Sequence, residues 1–363
     1  MVTGRRLEGR YDAVVIGAGP AGSMAALSLA RRGVRTLMVD KAHKGRWKVC
    51  GCCLGATGID ALHDAGLGRV LGASSPLDSF TLAARETRTT LRLPGFASIS
   101  RESLDRSLAE AAEVAGVETR WSTSASASSD GTAALNDGTE IRAGVIIDAS
   151  GLQGQRATPT RVARATRIGL GLTTAGSRCE PGELTMAVGC GGYLGRVALP
   201  DGRVDFAAAV TPGFVRGSGS PINALRTIWH SAGLDPADVP DGAWRGTPAL
   251  SRRRHAQEGR ILRVGDAAGY VEPFTGEGMS WALLAASRIA DDAIACIEHG
   301  PDASAWEGTL HRLLSRRHAR CRAVSRAVRS PWLVSMAIRM SNVAPRLGSL
   351  ASGTLSGAAR SPA

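Results

Sequence analysis

Residues 11–32 read YDAVVIGAGPAGSMAALSLARR, and the fold follows from this stretch. Residues 13–16 are apolar and partly β-branched, the composition of a short strand buried on both faces. They run into Gly17-Ala18-Gly19-Pro20-Ala21-Gly22, and an alanine-rich helical stretch follows at once. A second apolar strand, residues 35–39, ends on Asp40, 23 residues after Gly17. Gly17 permits the tight turn, Gly19 lets a pyrophosphate approach the backbone, and Gly22 lets helix and strand pack closely. The helix start offers N–H groups and the positive end of its dipole to phosphates. Asp40 is placed to accept hydrogen bonds from a ribose, and its charge disfavours a 2′-phosphate. Strand, turn, helix, strand and acid in this order predict a dinucleotide site. The turn by itself does not separate FAD from NAD.

Outward from that unit, 363 residues suit one large domain or two intimately joined ones. No run of about 18 uncharged apolar residues occurs, so no membrane-spanning helix is expected. The stretch MVTGRRLEGRYD lacks the apolar segment of a secretory signal, which makes a cytoplasmic location the default. Seven cysteines are an odd and sparse set, read as reduced thiols. Three of them cluster as Cys50-Gly51-Cys52-Cys53, but no second pair follows to complete a zinc site, and no metal is expected. The net charge is +12, and beyond Pro301 ten arginines face only Asp302 and Glu307. Such an excess suits an anionic lipid or substrate, and a plain compositional preference for arginine produces it too. Scarce aromatics and the lack of a recognisable module argue against nucleic acid.

Along the chain, residues 57–67 read as a helix and residues 80–93 as a hairpin. Ser100 is a candidate cap for the helix of ESLDRSLAEAAEVAG. Asn136-Asp137-Gly138-Thr139 is a hairpin turn, and residues 143–147 form another buried strand. Residues 157–167 are expected to be a mobile surface connection. Residues 168–211 are glycine-punctuated and β-like, with a turn at Pro200-Asp201-Gly202-Arg203. A buried strand returns at residues 261–264 and runs into Gly265-Asp266. A turn-rich segment then leads into one long amphipathic helix.

That last stretch, GDAAGYVEPFTGEGM at 265–279, points to the cofactor. Gly276 and Gly278 bracket Glu277 just before the helix, so a flat ring has room against its first N–H groups. This suits reduced flavin, whose N1–C2=O edge is negative. With VIGAGPAGS at 15–23, VCGCCLG at 49–55, SRESLDRSL at 100–108 and DASG at 148–151, the chain resembles the FAD-dependent oxidoreductases of the p-hydroxybenzoate hydroxylase fold. Within them it is most similar to the geranylgeranyl reductase-like branch. The resemblance implies an α/β fold: a Rossmann-like FAD layer of three-layer ββα type, an inserted, mostly antiparallel β-sheet substrate layer, and a C-terminal helical tail. Residues 10–75, 98–165 and 250–300 would form the FAD domain and residues 76–97 and 166–249 the substrate layer. Residues 301–350 would be the basic helical segment, with residues 351–363 disordered. By the same resemblance Gly17, Gly19, Pro20, Ala21 and Gly22 cradle the FAD pyrophosphate, and Asp40 with Lys41 meets the adenosine ribose. Arg101 contacts the cofactor, Gly151 closes on it, Gly265 and Asp266 hold the ribityl chain, and Pro273, Gly276, Gly278 and Met279 line the isoalloxazine.

Cys50-Gly51 matches a cysteine-glycine pair that lies near the flavin in the geranylgeranyl reductases, which makes Cys50 the candidate catalytic residue. That family usually continues with further glycines, where this chain has Cys52 and Cys53. A thiol there is a proton donor to a carbanion left by hydride addition, and Lys48 and Arg46 would favour its thiolate. Three small apolar fillers under a cofactor would read the same way. Two chemistries stay open: hydride transfer from reduced FAD to a double bond of an apolar isoprenoid- or polyketide-like substrate, or hydroxylation of an aromatic through a flavin hydroperoxide. NAD(P)H or another electron donor would bind transiently, since no second GxGxxG occurs. A halogenase lacks its WxWxIP signature here, with only isolated Trp229 and Trp244, and a flavin-binding partner protein is the non-enzymatic alternative. His255, after three arginines, is placed to meet a phosphate or to sit on a solvated face. From Leu310 the chain is helical, basic and studded with apolar residues, as in a peripheral membrane contact or a helix packed on the FAD layer.

Overall fold

A computed structural model describes residues 11–155, 160–163, 166–272, 274 and 276–343. The chain begins β1 (Ala13–Ile16), α1 (Pro20–Ala30), β2 (Thr36–Val39), β3 (Cys53–Leu54) and α2 (Ala56–Asp64). A long hairpin, β4 (Ser75–Ala84) and β5 (Thr87–Ser98), leads to α3 (Arg101–Val114) and β6 (Glu118–Arg120). Short strands follow: β7 (Ala125–Ala127), β8 (Thr132–Leu135), β9 (Glu140–Arg142), β10 (Val145–Asp148) and β11 (Arg161–Val162). Next come β12 (Ile168–Thr174), β13 (Glu183–Gly189), β14 (Gly192–Ala198), β15 (Val204–Val210), α4 (Pro212–Gly217) and α5 (Pro221–Ser231). The remaining strands are β16 (Arg245–Ala249), β17 (Arg252–Arg253), β18 (Gln257–Glu258), β19 (Ile261–Arg263) and β20 (Gly269–Tyr270). Four helices end the described chain: α6 (Gly278–Ser287), α7 (Ala290–His299), α8 (Ala305–Ala327) and α9 (Pro331–Val343).

The first sheet runs β18-β19-β10-β1-β2-β6, parallel except for β18. Both faces of β1 are covered, so its residues alternate between two cores. Ala13 and Val15 pack with α1, α3 and α6, while Val14 and Ile16 pack with Ala133, Leu135 and Ile141 of the β7-β8-β9 sheet. This is the three-layer ββα arrangement. Ser100 caps α3, its hydroxyl accepting from the Ser103 N–H at 3.1 Å. Asn136-Asp137-Gly138-Thr139 joins β8 to β9.

The second sheet runs β16-β12-β15-β14-β13-β4-β5-β3 and is antiparallel apart from the β4–β13 pair. Its residues also alternate: Ala187, Leu194 and Phe206 pack under α5, while Met186, Val188 and Tyr193 face the FAD layer and the last two helices. The long helix expected after Gly278 is in fact two, α6 and α7, broken at residues 288–289, where the N–H groups reach back three residues rather than four. Nor is α6 amphipathic; Met279, Trp281, Ala282, Leu283, Ala285 and Ala286 are all buried, because α6 is wedged against α1 and α2. Of the connection expected on the surface at 157–167, residues 157–159 and 164–165 lie outside the described residues, as do the final residues expected to be disordered. Arg167, at its end, is buried and not at the surface, because Glu272 pairs with it at 2.7 Å.

The basic C-terminal segment is built into the fold. Trp306 of α8 is fully buried and donates from Nε1 to the Arg263 carbonyl at 2.7 Å, and Glu307 accepts from the Ala256 N–H at 2.9 Å. Further along, Cys321 and Ser325 bond Glu272. On α9, Val334 and Ile338 pack inward onto the β4–β5 hairpin, whereas Trp332, Leu333, Met336, Met340 and Val343 remain exposed. No helix among the described residues is long and apolar enough to cross a membrane.

Candidate active site

A cavity of about 1290 Å³ separates the two sheets. It exceeds the roughly 300–1,000 Å³ of a pocket for one drug-sized ligand, so it accommodates a dinucleotide together with a substrate. Gly17, Gly19, Pro20, Ala21, Asp40, Lys41, Cys50, Arg101 and Gly151 all line it. So do Gly265, Asp266, Gly276, Gly278 and Met279. Pro273 lies outside the described residues, and Gly22 sits behind the cavity wall.

At the nucleotide end the backbone does the shaping. Gly17 has φ +104°, and a Cβ there would lie 2.4 Å from the Ala149 carbonyl oxygen. A Cβ on Gly22 would lie 1.7 Å from the Gly17 carbonyl oxygen, so α1 packs on the turn only without one. Gly19 is different. Its Cβ direction opens toward the Arg101 Nη2 and Lys48 Nζ, at 3.6 and 3.7 Å. No side chain caps α1, and Pro20 has no N–H to offer, so the N–H groups of Ala21 and Gly22 stand at the helix's positive end. Asp40 is anchored by the N–H groups of Ala18 and Ala42, both at 2.8 Å, and a carboxylate has lone pairs beyond those two bonds for ribose hydroxyls. Two cations, free helix N–H groups and an oriented carboxylate are a donor set that fits FAD. When bound, the flavin would supply a hydride equivalent or oxygen activation.

At the other end side chains define the wall. Cys50 is half-buried, and its pKa is lowered to about 6, first by a hydrogen bond from Cys52 and then by the guanidinium of Arg101. The expected cations were Lys48 and Arg46. Lys48 is instead committed to Asp105 at 2.9 Å, and Arg46 is exposed. Arg101 also binds Asp105 through two nitrogens, at 2.9 and 3.0 Å, which fixes the guanidinium between Gly19 and the thiol. Cys52 takes φ +52°, the left-handed region that favours glycine, which accounts physically for the glycine the resembling family carries there. Among the described residues no three His, Cys, Asp or Glu converge as a metal site. Asp266 lies on the short helical turn after β19, and desolvation raises it to about 6.

Several lining residues escaped the sequence reading. Tyr193 packs edge-on against Phe274 with ring centroids 5.0 Å apart, and Arg167 stacks over Tyr193 at 5.3 Å. With Leu184, Met186 and Leu250, Tyr193 and Phe274 make this end apolar. Asp205 on β15 lines the cavity too, pushed up to about 8 by burial. Arg252 and Arg254 do not form the solvated face considered for this run. Arg254 donates to the carbonyls of Leu152 and Gln153 and to Thr160, stapling the Gly151 loop, while His255 is exposed. Trp229 of α5 is buried against the second sheet and Trp244 bonds the Pro240 carbonyl, so neither lines the cavity.

Residues 10–160 match the FAD binding domain family. The chain is 25% identical over 341 residues to conditioned medium factor receptor 1 of Dictyostelium discoideum, with 79% of this chain and 64% of that protein covered. It therefore spans just under two thirds of that relative's length. It is 26% identical over 312 residues to digeranylgeranylglycerophospholipid reductase 3 of Methanosphaera stadtmanae, covering 78% of each. Among solved structures, the flavin-dependent brominase Bmp2 superposes with a TM-score of 0.78 at 16% identity, covering 96% of this chain and 93% of that one. Residues 10–160 thus resemble an FAD binding domain, and the chain as a whole shares the p-hydroxybenzoate hydroxylase type of fold.

Proposed function

We propose that the protein reduces a carbon–carbon double bond of an apolar, isoprenoid- or polyketide-like substrate, using hydride from reduced FAD. One observation carries this reading: an activated thiol, Cys50 beside Arg101, stands where the nucleotide end meets the apolar end of one cavity. An oxygen-activating site is a poor home for it, because accessible low-pKa thiols are the ones that reactive oxygen converts to sulfenic acid. The lining of Leu184, Met186, Tyr193, Leu250 and Phe274 suits a hydrocarbon chain. Similarity to a digeranylgeranylglycerophospholipid reductase supports the same substrate class. Electrons reach the flavin from NAD(P)H or another reductant that binds transiently.

The deciding experiment is turnover of a long-chain α,β-unsaturated ketone with chemically reduced holoenzyme, with and without oxygen. Reduction under strict anaerobiosis is the expected result. An oxygenated product, formed only in air, would replace this reading with a monooxygenase.

The exposed face of α9 belongs to the same proposal, as a docking surface for an anionic lipid membrane in which such a substrate dissolves. Trp332, Leu333, Met336 and Met340 are 42–57% exposed on one side of the helix, with Arg88, Arg92, Arg326 and Arg339 exposed around them. Apolar centre and cationic surround are what an interfacial helix presents to anionic headgroups. Its inner face packs in the apolar cluster that contains the cavity residues Met186 and Tyr193. Full-length protein is expected to float with anionic vesicles and not with neutral ones. Trp332→Ser with Met336→Ser should abolish flotation, and unchanged flotation of that variant would remove α9 from this role.

A further inference from the structure

The cavity wall holds an acid that the reading above leaves without a task. Asp205 is 2% exposed, faces the cavity from β15, and sits across from Thr173 on β12. Its Oδ1 is 2.6 Å from the Thr173 hydroxyl, and that hydroxyl is 2.7 Å from the Trp47 indole nitrogen. An indole N–H only donates, so the threonine oxygen accepts from Trp47 and its own proton goes to Asp205. The other oxygen, Oδ2, is buried with no hydrogen-bond partner. A buried carboxylate held by the Thr173 hydroxyl and, at most, a weak thiol donor from Cys52 is costly, and protonation removes the cost.

Its electrostatic surroundings act in the same direction. The charged and titratable groups around it are the thiols of Cys50 and Cys52, Glu102 on α3, which Arg203 pairs at 3.0 Å, and more remotely Arg101, which Asp105 neutralises. Burial above all, then the negative charges of Cys50 and Glu102, raise Asp205 to about 8, against a lowering by Thr173 and Cys52. Cys50 moves the opposite way, to about 6. Two neighbours whose titrations are pushed apart are an acid and a base at neutral pH.

We propose that Asp205, and not Cys50, is the proton donor of this site: a buried carboxyl on the same cavity wall as Cys50, with one oxygen held by Thr173 and the other turned away from any strong donor. The proposal rests on the reductase reading. Saturating a double bond needs a hydride and a proton. The hydride makes a C–H bond at one carbon, and the π pair shifts to the neighbouring carbon or into a conjugated carbonyl. That atom then bonds the Asp205 proton, the O–H electron pair stays on the carboxylate, and water reprotonates it. Reduced flavin is the two-electron donor, and it ends oxidised. Cys50 is shifted the other way, toward giving up its proton, by Cys52 and Arg101, and negative charge on it favours the proton staying on Asp205 until the substrate takes it.

The test uses Asp205→Asn, which preserves shape and the contact to Thr173. In full-length flavin-free protein at pH 6.5, infrared spectra should contain a protonated-carboxyl C=O band that the variant lacks. That band should fade as pH rises through about 8. Thr173→Val should move its midpoint upward, because it removes the hydrogen bond that favours the ionised form. In anaerobic turnover of the unsaturated ketone at pH 7, Asp205→Asn should lose roughly 100-fold or more in rate, the contribution of a positioned acid, while still accepting electrons into its flavin. A missing band at pH 6.5, or a variant with unchanged rate and pH profile, overturns the assignment to Asp205. A wild type that has the band yet reduces no double bond without oxygen overturns the reductase reading itself, and the donor role with it.

Discussion

At the nucleotide end of the cavity the wall is main chain, with Gly17 and Gly22 packed against carbonyl oxygens and Gly19 open to the ligand. At the reactive end the wall is side chains, brought from Cys50, Arg101, Tyr193 and Asp205 on a loop, a helix and two strands. The first surface has little freedom, because main-chain geometry admits one residue type at each position. The second has much, because any strand of the β sheet can present any side chain. Substitutions should therefore act in different ways at the two ends.

The largest effect is expected at Gly22. A Cβ there would meet the Gly17 carbonyl oxygen at 1.7 Å, so Gly22→Ala has to move backbone. Expression should give no soluble yellow protein. Gly19→Ala places its methyl 3.6 Å from Arg101, an ordinary contact, so this protein should fold. Its methyl occupies the approach of the pyrophosphate, and FAD should bind roughly tenfold more weakly, about 1.4 kcal/mol, by equilibrium titration. Equal behaviour of the two variants would mean that packing and ligand approach are not divided between these glycines.

Next is the ion pair behind the reactive end. Arg167 and Glu272 are 3% and 1% exposed at the side chain, and Glu272 also ties α8 through Cys321 and Ser325. Removing one partner leaves an uncompensated buried charge, so Glu272→Ala should lose about 3–5 kcal/mol in urea unfolding. A loss below about 1 kcal/mol would show that water reaches Arg167.

This division explains what could be read from the chain. Residues 11–40 gave strand, turn, helix and terminal acid because a phosphate cradle made of main chain leaves glycines at fixed spacing. Ser100 and the Asn136–Thr139 turn were legible for the same local reason. Asp205 was not: it bonds Thr173, 32 residues away, which in turn bonds Trp47, 126 residues away, and only the β12–β15 register sets the acid opposite that threonine. The break between α6 and α7 was missed because both segments are apolar enough to continue one pattern, and burial on all sides of α6 hides its period.

Arg101 touches both regions and so tests whether they are separable. In flavin-free protein the alkylation rate of Cys50 should rise with pH to a plateau with a midpoint near 6, rather than near the ordinary 9, and fall away below it as the thiolate is protonated. Arg101→Gln removes a cation from the thiol and from Gly19 together. The midpoint should climb and FAD should bind more weakly. Asp105 keeps Lys48 as its partner in this variant, which limits the loss of stability. A midpoint that stays near 6 would leave the hydrogen bond from Cys52 as the whole cause.

The smallest effect should come from Lys41, a side chain at the end where main chain does the shaping. It is exposed, and its Nζ donates to Gln153 Oε1 at 2.8 Å across the mouth of the nucleotide end. Losing such a contact changes stability by about 0.5 kcal/mol or less. Lys41→Gln should therefore weaken FAD by no more than roughly threefold, and the difference should shrink at high salt, because an exposed charge is screened there. The anchored Asp40 and the N–H groups of α1 remain to hold the nucleotide. A drop of tenfold or more, undiminished by salt, would mean that this side chain and not the main chain sets affinity, and the contrast between the two ends of the cavity would fail at its simpler end.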